Sequence, residues 1–243
     1  MSNTQSGGVP APAVRQGDLF EDLGPAVDAG FTTARRIELD ETSWIEHMPG
    51  WLRGSGSLFD ELTATAPWEQ RHRYMYGRQV AEPRLTAEYE DIAAAPQRLL
   101  HAVTAVLAQH YGVAYRYLWL NLYRTHRDST SWHGDPIGKI QVTSTVPVLS
   151  LGATRRFLIR PAQGGKSVPL AVASGDLIVM GGRAQRDWRH SVPKQATPAG
   201  PRISINFAPH LPLSQSREGA ASSIALASLA VCEQPLQVMS GHR

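Results

Sequence analysis

The sequence predicts a mostly β, α+β protein in which helices precede a long series of strands. Three observations carry this prediction. β-prone runs separated by turn residues extend from Tyr115 to Phe207, an amphipathic helix pattern precedes them, and no internal repeat is evident. The 243 residues suit one domain with tails, which we place at residues 35–210.

The N-terminal part carries weaker signals. Residues 1–34 are rich in Gly, Pro and Ala, so we expect a flexible segment there. Asp40–Met48 has good capping residues and predicts a short helix, whereas Arg53–Ser57 contains two glycines and predicts a flexible connection. A clear amphipathic helix is predicted from Pro96 to Tyr111, because Leu and Val recur on one stripe and a glycine follows.

The second half is predicted to consist of strands joined by turns. The strand candidates are Tyr115–Tyr123, the strand–turn–strand Ser150–Phe157, the turn and buried strand Gly175–Gly182, Asp187–Pro193 and the alternating Gly200–Phe207. Residues 211–243 form a tail, in which Ala220–Cys232 could be an Ala-rich helix. We assign the tail no function.

Composition indicates a soluble globular protein. Hydrophobic residues make up 42% of the chain, the mean hydropathy is −0.25, and no apolar run approaches the roughly 18 residues of a membrane span. The N-terminus lacks the basic start and apolar core of a signal peptide. The single Cys232 excludes an internal disulfide framework and fits a reducing compartment, so we expect a cytoplasmic protein.

The charge balance is mildly basic. A net charge of +3 and a pI of about 9.2 permit nucleic-acid binding without demonstrating it. Only three of the 24 basic residues are lysines, and arginine is suited to phosphate recognition. A GC-rich genome also produces such a bias, so both explanations stay open.

His133-Gly-Asp135, followed by His190, is the most informative motif of the chain. Two imidazoles and one carboxylate on one face of a metal are the ligand set of non-haem Fe(II) oxygenases. The H-x-D spacing places both side chains on the same side of an extended segment. Taken alone, the tripeptide is equally well explained by a surface histidine beside a turn aspartate.

Arg202 lies on the last predicted strand, where an interior arginine is costly unless it is paired. Its fork matches the far carboxylate of a 2-oxo-acid cosubstrate in charge and geometry. A structural aspartate is the alternative partner.

The flanking residues resemble the AlkB family of Fe(II)/2-oxoglutarate dioxygenases, in order, from about Pro67 to Phe207. The matching stretches are N-L-Y-R from Asn121, W-H-x-D ending at Asp135, S-L-G-A-T-R from Ser150, G-D-L-I-V-M from Gly175, W-x-H-x-V-P-K around His190, and P-R-x-S-x-N-F ending at Phe207. The resemblance implies a double-stranded β-helix, or jelly roll, with N-terminal helices that buttress one sheet. It also implies that Fe(II), 2-oxoglutarate and O2 are used to remove alkyl groups from nucleic-acid bases.

The resemblance assigns roles to six residues. His133, Asp135 and His190 are the implied metal ligands and catalytic residues, while Asn121, Tyr123 and Arg202 are implied to bind 2-oxoglutarate. A core tyrosine with an incidental hydrogen bond remains the alternative for Tyr123.

The stretch from Trp68 to Tyr89 is similar to the family's substrate-recognition region. It interleaves aromatic and arginine residues, and a flipped or single-stranded base could stack there. The candidate substrate-binding residues are Trp68, Tyr76, Arg78, Arg84 and Tyr89. An ordinary β-hairpin with solvated arginines is the alternative.

Two positions depart from the family's pattern. Many members have a second arginine six residues after the first, where this chain has Ala208. Several nucleic-acid demethylases have a base-reading acid two residues after the metal aspartate, where this chain has Ile137. From the resemblance as a whole we expect oxidative dealkylation of alkylated DNA, single- or double-stranded, or of RNA, and we expect the protein to be a monomer. A small-molecule or protein hydroxylase and a weakly active nucleic-acid-binding relative remain alternatives.

Overall fold

The computed structural model describes residues 24–75 and 77–209. The predictions made for residues 1–23, for Tyr76 and for the tail with its Ala220–Cys232 helix lie outside the described residues. Within them, no helix is both long enough and apolar enough to cross a membrane.

The described helices are α1 (Ser55–Thr65), α2 (Arg98–Tyr111) and the four-residue α3 (Ile137–Ile140) and α4 (Ala184–Asp187). A short 3-10 turn spans Ile92–Ala94. The strands are β1 (Ala26–Val27), β2 (Arg35–Glu38), β3 (Ser43–Met48), β4 (Leu52–Arg53), β5 (His72–Met75), β6 (Arg78–Ala81), β7 (Leu85–Tyr89), β8 (Tyr117–Tyr123), β9 (Thr130–His133), β10 (Ser144–Gly152), β11 (Arg155–Pro161), β12 (Val168–Val172), β13 (Leu177–Gly182), β14 (Trp188–Val192) and β15 (Arg202–Ala208).

Two antiparallel sheets contain most of these strands. The large sheet has the order β2-β3-β13-β10-β15-β8-β7, and the small sheet has the order β12-β11-β14-β9. From β8 onward the chain passes back and forth between the sheets, so that β8-β15-β10-β13 faces β9-β14-β11-β12. This connectivity is a jelly roll. The predicted fold class is confirmed.

The large sheet packs against other elements on both faces. Its outer face packs against α1 and α2, and Ile203 and Ile205 of β15 belong to the same core cluster as Leu62 and Leu107. Its inner face meets the small sheet in a second cluster, which includes Phe157 of β11. Strand alternation separates the two sets, because successive residues point to opposite faces. The N-terminal helices therefore buttress one sheet, as predicted.

The sequence correctly predicted α2 and its end. Leu100, Val103 and Leu107 are buried on one side of the helix. Gly112 ends it at φ 66°, a left-handed conformation that glycine adopts without the steric cost of a Cβ atom.

Three N-terminal predictions were wrong. Asp40–Met48 does not begin a helix, because Ser43–Met48 is strand β3, hydrogen-bonded to β2 on one side and β13 on the other. Ser55 and Ser57, predicted as a flexible connection, lie in α1. Residues 24–34, predicted as flexible, include β1, which pairs with β4. They also include the buried Phe31, whose ring stacks on His110 at 3.6 Å between centroids. In each case tertiary pairing or packing outweighs the local signal.

Asp176 joins its own turn to the turn at Gly50 and to strand β3. Its carboxylate accepts hydrogen bonds from the backbone N–H groups of Gly50 at 2.8 Å and Ala173 at 2.9 Å, and it lies 3.1 Å from Nε2 of His47. Burial alone would raise the pKa of Asp176, but these hydrogen bonds outweigh it and hold the pKa below its ordinary value of 3.8.

Asp176→Asn should lower the free energy of unfolding by about 1–3 kcal/mol at neutral pH, because the charged acceptor is lost. Since the folded-state pKa is depressed, this stabilisation is fully present above about pH 5 and is lost as the pH falls through the folded value. Denaturant unfolding of both proteins between pH 7 and pH 3 measures the difference. Asp60→Asn, on the exposed side of α1, is the control. A difference that grows on acidification would contradict this account.

Candidate metal and cosubstrate site

His133, Asp135 and His190 converge between the two sheets, with their ligand atoms within 4.8 Å of one another. Oδ1 of Asp135 lies 3.6 Å from Nε2 of His133 and 3.7 Å from Nε2 of His190. Ligands about 2.1 Å from a divalent ion at right angles lie about 3 Å apart, so small side-chain movements close this set on a metal. The His133 side chain is 39% exposed, whereas those of Asp135 and His190 are buried.

A β-bulge places two functional side chains of β9 on the same face. His190 pairs with His133 and Val192 pairs with Thr130, so three steps along β9 oppose two steps along β14. A regular strand would turn Thr130 and His133 to opposite faces. The extra residue lets Thr130 reach Tyr123 while His133 reaches the metal cluster.

The protonation states suit a metal. Nδ1 of His133 lies 2.9 Å from the Ser131 carbonyl oxygen, and a proton held there leaves Nε2 as the ligand. Burial lowers the pKa of His190 far below its ordinary value, and His133 and Arg189 lower it further, so His190 is neutral. Burial raises the pKa of Asp135, against the effects of His133 and Gln185. Oδ2 of Asp135 is buried and has no hydrogen-bond partner among the described residues.

Gln185 of α4 holds the ligand loop in place. Its Oε1 accepts a hydrogen bond of 2.8 Å from the Asp135 backbone N–H. Its backbone carbonyl oxygen lies 2.4 Å from where a Cβ would be on Gly134, and 2.5 Å from that position on Gly138. The loop can pack this closely on α4 only because both positions are glycine.

Arg202 is buried on β15 with one unsatisfied group. Its Nε donates to Oγ of Ser150 at 2.8 Å, while Nη1 has no partner among the described residues. Its Cζ lies 5.3 Å from the ring centroid of Tyr123, the residue paired with it on β8. The Tyr123 hydroxyl lies 2.8 Å from Oγ1 of Thr130. A buried, unpaired guanidinium N–H is suited to a ligand carboxylate.

Asn121 lies on the same strand face as Tyr123, opposite Ser204 of β15. Its Nδ2 donates to Oγ of Ser204 at 3.3 Å, and its Oδ1 accepts a 2.9 Å hydrogen bond from Nε of Arg84. The structure therefore brings together the three residues predicted to bind 2-oxoglutarate, and their role toward it stays a prediction. Sequence reasoning missed Ser150, Thr130 and Gln185, because no local pattern marks residues whose side chains act through contacts with other elements of the fold.

Three of the predicted substrate-binding residues make contacts within the protein. Tyr89 is 7% exposed within the helix-side core, so its ring has no free face for a base. Nε1 of Trp68 donates to the Leu62 carbonyl oxygen at 3.0 Å, and its ring packs against the same core. Arg84 is held inside the protein by Asn121 and by Glu82 at 2.9 Å. Contacts within the protein thus engage all three side chains, and their roles toward a substrate stay predictions.

The hairpin formed by β5 and β6 carries the exposed part of this region. Arg78 is exposed there, and Tyr74, which the sequence analysis did not single out, is 68% exposed. Arg84 lies between the hairpin and β7, and its Nε donates a hydrogen bond to Asn121. The segment that follows the hairpin therefore contacts the pocket.

Both departures from the family pattern are buried. Ile137 is 1% exposed and belongs to the core between the sheets, so that position offers no polar group to a substrate. Ala208 is fully buried at the end of β15, where it pairs with Tyr117 of β8.

The site fits Fe(II) with 2-oxoglutarate. Two imidazoles and a carboxylate, whose buried Oδ2 has no partner within the described part of the chain, supply the ligand set that Fe(II) requires. Nη1 of Arg202, which also lacks a partner there, offers a donor to a carboxylate of the cosubstrate.

Gly134→Ala should damage the metal site, because the new Cβ would overlap the Gln185 carbonyl oxygen. We expect a loss of about 1–3 kcal/mol in the free energy of unfolding and of about tenfold or more in metal affinity. Unfolding curves and calorimetric titration with Zn(II) measure both quantities. Gly200→Ala, whose Cβ would meet its nearest neighbour at 3.8 Å, is the matched control. Unchanged values for Gly134→Ala would show that the close approach is not required.

The comparisons with known proteins agree with this geometry. The family described as 2OG-Fe(II) oxygenase superfamily matches residues 57–208. Alpha-ketoglutarate-dependent dioxygenase alkB homolog 3 of Bos taurus is 32% identical over 181 residues, which cover 65% of this chain and 63% of that protein. DNA oxidative demethylase ALKBH2 of Arabidopsis thaliana is 29% identical over 196 residues, covering 63% of this chain and 61% of that protein. The chain thus spans less than two thirds of these relatives.

A solved structure shows the same fold. The structure of OsALKBH1 superposes with a TM-score of 0.53 at 14% sequence identity, covering 72% of this chain and 100% of that chain. The resemblance to the AlkB family is confirmed by the curated relatives. Since the family match extends over more than half of the chain and contains the whole metal cluster, the protein belongs to the 2OG-Fe(II) oxygenase superfamily.

Proposed function

We propose that the protein oxidatively dealkylates N-alkylated bases in DNA or RNA, using Fe(II), O2 and 2-oxoglutarate. The observations that carry the proposal are the His133–Asp135–His190 cluster and the buried Nη1 of Arg202 on strand β15, which has no hydrogen-bond partner among the described residues. The substrate class is supported by the names of the relatives, one of which is a DNA oxidative demethylase. Fe(II) and 2-oxoglutarate together supply oxygen activation, in which 2-oxoglutarate becomes succinate and CO2 while an N-alkyl carbon is hydroxylated and leaves as an aldehyde.

The residues of the chain bind and orient the reacting groups. His133 and His190 act as neutral imidazoles, and Asp135 supplies the anionic ligand. The hydrogen bond from the Asp135 backbone N–H to Gln185 holds that ligand in position. Arg202 binds the far carboxylate of 2-oxoglutarate through Nη1, and Ser150 fixes its guanidinium plane through Nε. Tyr123 and Asn121 complete the same pocket.

Substrate recognition is assigned to the β5–β6 hairpin. A base must leave the stack to reach a metal between two sheets. Tyr74 offers an exposed ring on which a base can stack, and Arg78 offers a charge for the phosphate backbone.

One observation favours a second candidate, a small-molecule or protein hydroxylase with the same metal centre. Ile137 is apolar and buried where several nucleic-acid demethylases have an acid that reads the base. The two candidates differ in whether turnover depends on an oligonucleotide.

Succinate and aldehyde formation should depend on a methylated oligonucleotide. The protein is assayed with Fe(II), 2-oxoglutarate and a panel of methylated single- and double-stranded DNA and RNA, and product bases are quantified by mass spectrometry. Asp135→Ala should abolish turnover, because it removes the anionic metal ligand. Succinate formation that is indifferent to every oligonucleotide, with no base demethylated, would refute the nucleic-acid function and favour the second candidate.

Arg78→Ala should weaken oligonucleotide binding without altering preference among sequences. The slope of log affinity against log salt concentration should fall by about one unit, since one phosphate contact is lost. Fluorescence anisotropy at several salt concentrations measures the slope. Arg98→Ala, an exposed position on α2, should leave it unchanged. An unaltered slope in Arg78→Ala would remove the hairpin arginine from the interface.

We also propose that the protein is a cytoplasmic monomer. The reducing compartment is supported by the single Cys232.

A further inference from the structure

Arg155 is a fully buried cation outside the roles assigned so far. It opens β11 in the small sheet and is 1% exposed. Its Nη1 donates to the carbonyl oxygen of Thr125 at 3.0 Å, and its Nη2 donates to those of Asp128 and Pro193, each at 2.8 Å. Its Nε donates to Oε1 of Gln195 at 3.1 Å. The side chain thus ties the segment that leads into β9 to the segment that leaves β14.

These acceptors are all neutral. The nearby carboxylate of Asp128 is bound by Arg124, whose Nε lies 2.8 Å from Oδ2, whereas Arg155 uses only the Asp128 backbone oxygen. Burial lowers the pKa of Arg155, yet an arginine starts so high that it stays charged. Its hydrogen bonds are satisfied, but its charge has no counter-anion within hydrogen-bond reach among the described residues. A buried charge without an opposite charge is costly.

Arg202, on the opposite sheet, is a second buried cation near the same tyrosine ring. The Cζ atoms of Arg155 and Arg202 lie 5.6 Å and 5.3 Å from the ring centroid of Tyr123. Burial lowers the pKa of Arg202 and the charge of Arg155 lowers it further, which is the sign of two like charges in one poorly solvated region. Two such cations beside one ring favour an anionic occupant.

We propose that Arg155 is a specificity-determining and positioning residue for the cosubstrate. Its buried charge, held beside Tyr123, acts with Arg202 to select a 2-oxo acid that carries a second, distal carboxylate. The inference rests on the proposed use of 2-oxoglutarate. The N–H groups of Arg155 are already bonded within the protein. Arg155 therefore acts through the electrostatic potential of its charge and by fixing the segments next to β9 and β14.

The test compares two ligands that differ only in the distal carboxylate, 2-oxoglutarate and 2-oxopentanoate. Their affinities for the Zn(II)-loaded protein are measured by calorimetry, without oligonucleotide or turnover. Arg155→Gln should weaken 2-oxoglutarate binding by about tenfold or more, because the variant loses the attraction between a guanidinium charge and the distal carboxylate in a partly desolvated site. It should change 2-oxopentanoate binding by less than about threefold, so the preference for the dicarboxylate narrows.

The controls separate charge from structure. Arg156→Gln, at the exposed neighbouring position on β11, should change neither affinity. Arg202→Gln should retain a reduced but measurable preference for 2-oxoglutarate, because Arg155 is still present, and this variant serves as the test if Arg155→Gln does not fold. Equal losses for both ligands in Arg155→Gln, or a complete loss of preference in Arg202→Gln, would overturn the proposal. Because no base is oxidised in this experiment, its failure is distinguishable from failure of the dealkylation assay.

Discussion

The pairing of β9 with β14 is the interaction on which the site depends. It sets His133 opposite His190, and the bulge within it turns Thr130 to the same face. Two metal ligands and the support for Tyr123 therefore follow from one stretch of antiparallel backbone. Because backbone hydrogen bonds fix this register, the ligands are arranged before any metal binds, and the side chains lose little conformational freedom on binding it.

The interior between the sheets is partly polar, in contrast to the core beneath the helices. The face of β15 toward the helices carries Ile203 and Ile205, whereas its other face carries Arg202 and Ser204. Strand alternation makes this division possible, since one strand supplies an apolar wall and a ligand-binding wall at once. The helix-side core stabilises the fold, which lets the inner face retain buried groups that are unfavourable until a ligand occupies the site.

The sequence predicted the metal cluster, α2, the strands β8, β13, β14 and β15, and the turn between β10 and β11, because each of these rests on a pattern that is visible in the local sequence. It named no strand at β9 or β12. It did not predict β3, since the capping residues around Asp40 favour a helix locally while the strand depends on partners distant in sequence. The bulge between Thr130 and His133 was equally unpredictable, because an added residue is recognised only when the partner strand is known. For Arg155 and Arg156, alternation predicts that one points inward but not which.

The three metal ligands differ in their exposure to solvent. Asp135 and His190 lie inside the roll, and His133 alone among the three has a substantially exposed side chain. An ion held by these three residues would therefore face solvent on the side of His133 and protein on the side of Asp135 and His190.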